Sequence, residues 1–295
     1  MKIGFSLSPG GLLLPYHLGV LKSLSDYGHI QDSTPLAGSS AGAIAVSAHA
    51  SGVPSLMALE ASTRISGMLL GNPLFVPSGS LLPALRNEMN HLLPMEAHEL
   101  CNEREGIVAL AHRELFPRNR PILQTHFETR QSLMDAVCDS SMFPYFLTNK
   151  PIRMVRRKGR ILPRMVVDGL FACSAERIGC PDFEQCCETT TTTNSSNQES
   201  KKVVDRTVMV SVFPTEFLSL TTTPKKDQIG PVLEENFAAQ AVRLVRLATQ
   251  GATSKELHDL YEQGCLDAQN WATQEERKER ESSRSKRRVA RQQAP

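Results

Sequence analysis

Twice in its first fifty residues the chain passes from a short apolar run, through a turn of glycine and serine, into a helical pattern. Ile3-Gly4-Phe5-Ser6-Leu7 leads to Ser8-Pro9-Gly10-Gly11, after which Leu14, Leu18, Leu21 and Leu24 recur at spacings of four and three. Pro35-Leu36-Ala37 then leads to Gly38-Ser39-Ser40-Ala41-Gly42 and a small-residue segment, AIAVSAHA, that can pack tightly as a helix. Strand, glycine turn, helix is the repeating unit of a sheet covered by helices, so two such units in succession predict an α/β fold.

The chain has 295 residues, enough to bury a sizeable core without staples, and 40% of them are apolar. That excludes a disulfide minidomain, a collagen-like fibre and a wholly disordered chain. The formal net charge is only +2, which does not suggest a nucleic-acid partner. Positive charge is concentrated in residues 277–291, where eight Lys or Arg meet two Glu, and the rest of the chain is net negative. The seven cysteines are odd in number and irregularly spaced, with Cys173, Cys180, Cys186 and Cys187 close together. They lack C-x-x-C pairs and a neighbouring His, so free thiols in a reducing, cytoplasmic setting are expected and a metal site is not. No apolar run approaches the roughly 18 residues that span a bilayer. Pro9, Gly10, Gly11 and Pro15 break the first apolar stretch, which reads as a strand and not as a signal peptide.

Further along, residues 54–100 read as helical with breaks at Gly71-Asn72-Pro73 and Pro77-Ser78-Gly79. Strand-like runs follow at 106–111 and 121–127, then a helix over about 130–139 and a hairpin-like stretch over 152–170 that closes on Met165-Val166-Val167-Asp168-Gly169. Residues 184–202 are Thr-, Ser- and Asn-rich without apolar periodicity, and predict a disordered insertion. A strand is expected at 208–212 and helices at 232–249 and 254–263, the second opened by a capping box of Thr253 and Glu256. From about 275 the charged sequence predicts no regular structure. The expected organisation is therefore a folded unit over 1–270 and a basic, disordered tail over 271–295.

Three elements can carry chemistry. Gly38-x-Ser40-x-Gly42, set between a strand and a helix, has the pattern of a nucleophile elbow. The turn is too sharp for a Cβ on either flank, and the helix N-terminus behind the serine favours developing negative charge. A Ser-Asp-His order would need a late histidine, and only His258, in the polar run Lys255-Glu256-Leu257-His258-Asp259, follows residue 168. Asp168 is the one aspartate of ten followed by glycine, and it ends an apolar strand-like run, so its carboxylate emerges at a sheet edge. It can serve as base near neutral pH if it is partly desolvated. Gly10 and Gly11 follow the first strand, and successive amides in such a turn form an anion-binding nest, while the dinucleotide and P-loop patterns are both absent.

In this order the elements resemble the patatin-like phospholipase family. The resemblance covers about residues 3–175 and again 205–270, and includes Tyr16-His17-Leu18-Gly19-Val20, Gly38-Ser39-Ser40-Ala41-Gly42-Ala43, Ser140-x-x-x-Pro144 and Leu260-Tyr261-x-x-Gly264-x-x-Asp267-Ala268. It implies a three-layer α/β/α sandwich with a mostly parallel central sheet, with Ser40 as nucleophile, Asp168 as general base, and the amides of Gly10, Gly11 and Leu12 as oxyanion donors. Gly38, Gly42 and Gly169 fall on the family's motif positions. Pro9 stands where the family often has a first loop glycine and has no N–H to give. Asp168 is followed by Gly169-Leu170 where Gly-Gly is usual.

The resemblance implies a glycerolipid acyl hydrolase acting on phospholipid or triacylglycerol through an acyl-enzyme, without cofactor or metal, at a peripheral membrane or lipid-droplet surface. Two rivals stay open: a catalytically inactive lipid-binding or scaffold protein of the same fold, and an acyltransferase with the same Ser-Asp dyad. Met68, Leu69, Leu70, Leu74 and Phe75 are candidates for an acyl site or a lipid contact, against ordinary core packing. The basic tail is a candidate for an anionic membrane. Residue types alone set no oligomeric state.

Overall fold

The computed structural model describes residues 2–70, 81–156, 162–184, 203–215 and 222–292. Its frame is an eight-stranded sheet in the order β5-β6-β3-β2-β1-β7-β8, with β4 paired to β3 off this path. The strands are β1 (Ile3–Leu7), β2 (Leu36–Ser39), β3 (Val108–Phe116), β4 (Arg120–Gln124), β5 (Arg153–Val155), β6 (Arg164–Val167), β7 (Arg206–Val210) and β8 (Gln228–Ile229). The pairs β1–β2, β1–β7, β2–β3 and β7–β8 are parallel, while β3–β4, β3–β6 and β5–β6 are antiparallel. Helices cover both sides of this mixed, mostly parallel sheet, the α/β architecture the sequence predicts. They are α1 (Leu14–Asp26), α2 (Ala41–Ala50), α3 (Ser55–Gly67), α4 (Leu81–Leu92), α5 (Ala97–Glu103), α6 (Arg130–Ser140), α7 (Phe237–Thr249) and α8 (Ser254–Gln292).

Central strands β1 and β2 are buried along almost their whole length, as expected where helices close both faces. Boundaries move where tertiary pairing or a cap overrides local pattern. The strand predicted to end at 111 continues to Phe116, because antiparallel partners β4 and β6 satisfy its backbone beyond the point where β2 stops. The helix predicted from 232 begins at Phe237, where the side chain of Asn236 accepts the amide of Ala239 at 3.3 Å.

The largest departure is at the C-terminus. Residues from about 275 do not lose structure: α8 starts at the predicted cap, where Thr253 and Glu256 exchange hydrogen bonds, and runs to Gln292. Trp271, placed in the tail by sequence, is buried, with its ring 5.6 Å from Phe5 and its Nε1 donating to the Lys226 carbonyl at 2.9 Å. Glu275 is buried against Arg206, which also holds Asp227. Past this anchor the helix is carried by good helix formers and by i,i+4 pairs, Glu276 with Arg280 and Arg277 with Glu281. The stretch predicted as a disordered insertion lies outside the described residues from 185 onward, as do Leu74, Phe75, Cys186 and Cys187. The five described cysteines are free thiols. Among the described residues no helix is long and apolar enough to cross a membrane.

The first and last helices cross at unusually close range. An added Cβ on Gly19 would lie 2.0 Å from the Tyr261 carbonyl oxygen, and one on Gly264 would lie 2.2 Å from that of Tyr16. At this crossing the Tyr16 hydroxyl donates to buried Asp267 at 2.7 Å, and Gln263 donates to the other carboxylate oxygen at 2.8 Å. Two motifs some 250 residues apart in sequence thus meet through glycine, and α1 is the helix that follows the first glycine loop.

Candidate functional site

Ser40 sits between β2 and α2 with φ 51° and ψ −119°, a left-handed backbone that non-glycine residues rarely adopt. The strain is enforced by close packing around the turn. A Cβ on Gly38 would meet the Gly42 carbonyl at 2.4 Å, and one on Gly42 would meet the Leu7 carbonyl oxygen at 2.6 Å. The Ser40 amide donates to Ser140 Oγ at 2.9 Å, and that hydroxyl donates onward to the Ala111 carbonyl at 2.5 Å, tying the elbow to β3. Ser40 is thereby presented at the N-terminus of α2, where the helix dipole favours negative charge.

Asp168 is fully buried at the end of β6. Its amide donates to the Met142 carbonyl at 3.0 Å, and its Oδ1 accepts the Leu170 amide at 2.8 Å. Leucine thus serves at 170, because what Asp168 needs from that position is an N–H. Gly169 has no such freedom: a Cβ there would meet the Ala111 carbonyl oxygen at 2.5 Å and Ser39 Cβ at 2.6 Å. Burial raises the Asp168 carboxyl from 3.8 to about 7, against the smaller opposing effects of the Leu170 amide and the nearby Ser40 hydroxyl. The hydroxyl does not close a full hydrogen bond, and Oδ2 is buried without a partner. Such contacts commonly tighten only once substrate is bound.

The first glycine loop lies across the same opening. Ser8 continues β1 by donating its amide to Val210 at 2.9 Å, and Gly11 to Leu13 form one 3-10 turn before α1. Gly11 has φ +55°, and a Cβ on it would lie 2.5 Å from the Ala248 carbonyl oxygen. The amides of Gly10, Gly11 and Leu12 have no acceptor among the described residues. Donors with nothing to donate to, beside a strained serine, suit a transient oxyanion.

These parts open on one cavity of about 810 Å³, whose lining includes Pro9, Gly10, Gly11, Leu12, Ser40 and Asp168. Its walls are largely apolar: Ile44 of α2, Ile65 of α3, Leu81, Leu85 and Met89 of α4, Phe143, Phe146, Leu170, Phe171, and Leu244 and Val245 of α7. Glu88 and Asp168 are the only charged side chains among the described lining residues. The candidates Met68, Leu69 and Leu70 are not among them; Leu69 is buried in the core and the other two are exposed. His258 is exposed on α8 and binds only its own helical turn, at the Ser254 carbonyl. The structure thus brings together Ser40, Asp168, Gly10, Gly11 and Leu12, with Gly38, Gly42 and Gly169 as the close-packed turns that hold them.

Two further residues shape this site; both fall in stretches that carry the family resemblance, but their work depends on contacts made across the fold. Ser140 ends α6, and its hydroxyl is the bridge from the elbow to β3. His17 lies in the apolar first turns of α1, fully buried, with Nε2 2.8 Å from the Ser8 carbonyl oxygen. Burial lowers its pKa from 6.5 to about 4, so the ring is neutral and its Nε2–H donates to Ser8, the residue that opens the glycine loop. Nδ1 has no partner. Replacing His17 with Ala is expected to lower kcat about tenfold with little change in KM, the loss of one buried hydrogen bond that aims the loop. Steady-state kinetics on a soluble ester measure both constants.

The raised Asp168 pKa sets two pH dependences of opposite sign. A base must be deprotonated, so kcat/KM is expected to rise with pH through about 7. Stability moves the other way, because the folded carboxyl holds its proton up to about 7 while the unfolded one releases it near 3.8. The cost of the buried charge is absent below the lower value and complete above the higher one. Asp168→Asn is therefore expected to melt above wild type at pH 8 and level with it at pH 4, as read by thermal denaturation.

No curated protein matches the chain. A family model described as patatin-like phospholipase matches residues 5–174, from the first strand to just past Asp168. That match spans more than half of the chain, and the protein belongs to the patatin-like phospholipase family, a family of lipid acyl hydrolases.

Proposed function

We propose that this protein hydrolyses glycerolipid esters, of phospholipid or triacylglycerol, through a Ser40–Asp168 dyad and an acyl-enzyme. The observation that carries the reading is that a strained serine, a buried carboxyl raised toward neutrality and three amides without an acceptor among the described residues line one largely apolar cavity. Asp168 takes the proton of Ser40 as Oγ attacks the ester carbonyl, and the amides of Gly10, Gly11 and Leu12 receive the oxyanion. Collapse breaks the ester bond, and the leaving alcohol takes the proton from Asp168. Water then gives a proton to Asp168 and its oxygen to the acyl carbon, which frees the fatty acid and restores Ser40. Every proton moves between Ser40, Asp168, alcohol and water, so the scheme calls for no cofactor.

The apolar walls suit acyl chains, and the absence of Lys or Arg among the described lining residues favours substrates whose buried part is uncharged. The substrate is met at the surface of a membrane or lipid droplet, with no role for nucleic acid. Labelling by a fluorophosphonate probe, alongside fatty-acid release from phosphatidylcholine and from triolein, tests the reading and ranks the two lipids. Wild type is expected to label at Ser40 and to release fatty acid. A folded wild type that neither labels nor turns over overturns it, and product transferred to an added lipid alcohol in place of water assigns acyl transfer instead.

A further inference from the structure

Past the level of Ser40 the sheet continues as a basic edge. Ala111 of β3 pairs with Ser39, next to the nucleophile, and β3 then runs on to Phe116 before β4 returns from Arg120. The β5–β6 hairpin reaches the same level, with Met165 opposite Phe116 and Arg164 opposite Val155. Arg118, Arg120 and Arg156 therefore stand together at one end of four strands, all exposed. Glu114 is the single acid on these strand ends; it is buried and held by Arg164 at 2.7 Å and Arg120 at 3.8 Å. Arg118 and Arg156 have no ion-pair partner among the described residues. In a chain whose net charge is only +2, this is a local concentration of positive charge and not a general property.

The edge is continuous with the mouth of the cavity. Arg113 of β3 donates from Nη1 to the Phe171 carbonyl at 3.1 Å, and the Phe171 ring stacks on Phe143 with centroids 6.0 Å apart. Both rings line the cavity, yet each is 40% exposed. Stacked aromatic rings left in water beside unpaired arginines match the two layers of a lipid–water boundary, rings at the interface and guanidinium groups on head-group phosphates. We infer that the basic end of β3, β4, β5 and β6, together with the Phe143–Phe171 rim, docks this protein on an anionic lipid surface. This rests on the reading of the cavity as a glycerolipid site, since docking here sets the cavity mouth against the acyl layer, so a substrate chain enters without crossing water.

The test compares wild type with Arg118→Glu/Arg156→Glu, and with Arg287→Glu/Arg288→Glu in the C-terminal basic segment. Cosedimentation is measured with phosphatidylcholine vesicles, with and without phosphatidylserine, at low and high salt. Turnover of a water-soluble short-chain ester is followed in parallel. Wild type is expected to bind phosphatidylserine vesicles more tightly and to lose that preference in high salt. Reversal at 118 and 156 is expected to weaken this binding about tenfold or more, with soluble-ester turnover unchanged. Reversal at 287 and 288 is expected to leave binding intact. Equal binding by wild type and the 118/156 variant overturns the inference, as does loss of binding only in the 287/288 variant. A 118/156 variant that changes the sedimentation of the free protein but not its vesicle binding assigns the face to self-association and also overturns it. A wild type inert toward the soluble ester and the fluorophosphonate, but dependent on Arg118 and Arg156 for vesicle binding, removes the hydrolase reading and leaves the docking face standing.

Discussion

Ser40→Ala and Asp168→Asn are each expected to lower kcat about 10⁴-fold, and the double variant to be no worse than either single one. The reason is that serine and carboxyl act as one unit. Without the hydroxyl there is no nucleophile for Asp168 to activate, and without the carboxylate the Ser40 proton has nowhere to go, because no histidine lies among the cavity-lining residues. The amides of Gly10, Gly11 and Leu12 persist in every variant and sustain the residual rate. Thermal melts separate this loss from misfolding. Asp168→Asn exchanges a buried carboxyl raised to about 7 for a neutral isostere, so at pH 8 it should be the more stable and the less active protein. Additive losses, or an active Asp168→Asn enzyme, would assign the base elsewhere.

The second large effect concerns stability. Gly19→Ala places a methyl group where the Tyr261 carbonyl oxygen lies 2.0 Å away, and Gly264→Ala does the same against Tyr16 at 2.2 Å. The neighbours are helix backbone and cannot rotate aside, so α1 and α8 must separate. Separation loosens the packing of Leu18, Leu21, Leu257 and Leu260 and strains the buried hydrogen bond from Tyr16 to Asp267. Either substitution is expected to cost about 4 kcal/mol, seen as a fall of about 10 °C in melting temperature. Gly67→Ala is the matched control: it closes α3 with nothing within 4 Å of an added Cβ, and should be neutral or stabilising by up to about 1 kcal/mol. A Gly19→Ala protein that melts with wild type would show that the two helices are not held at this distance in solution. Because α1 carries His17, which donates to the Ser8 carbonyl, the same substitutions should also depress activity through the glycine loop.

The elements legible in the sequence are those whose cause is local. A glycine on each side of Ser40, between an apolar run and small residues, already implies a turn that excludes a Cβ, and the structure shows the two backbone contacts that exclude it. The first strand, its glycine loop and the helix after it, and the capping box at Thr253 and Glu256, are likewise set by neighbours in the chain. The end of α8 departs from its local pattern. A charged segment without apolar periodicity resembles a solvated tail, yet burial of Trp271 and Glu275 anchors the helix, and short-range ion pairs then extend it.

Other properties exist only between distant segments and arise once the chain is folded. The pKa of Asp168 is one, since desolvation by the packed surroundings, and not the Asp-Gly dipeptide, lifts it to about 7. The work of His17 and Ser140 is another, because the acceptors they meet, the Ser8 and Ala111 carbonyls, belong to other elements. The pairing of Gly19 with Gly264 is the clearest. Each glycine alone reads as a weak point in a helix, and only their meeting turns the missing side chains into room for the first helix to lie against the backbone of the last.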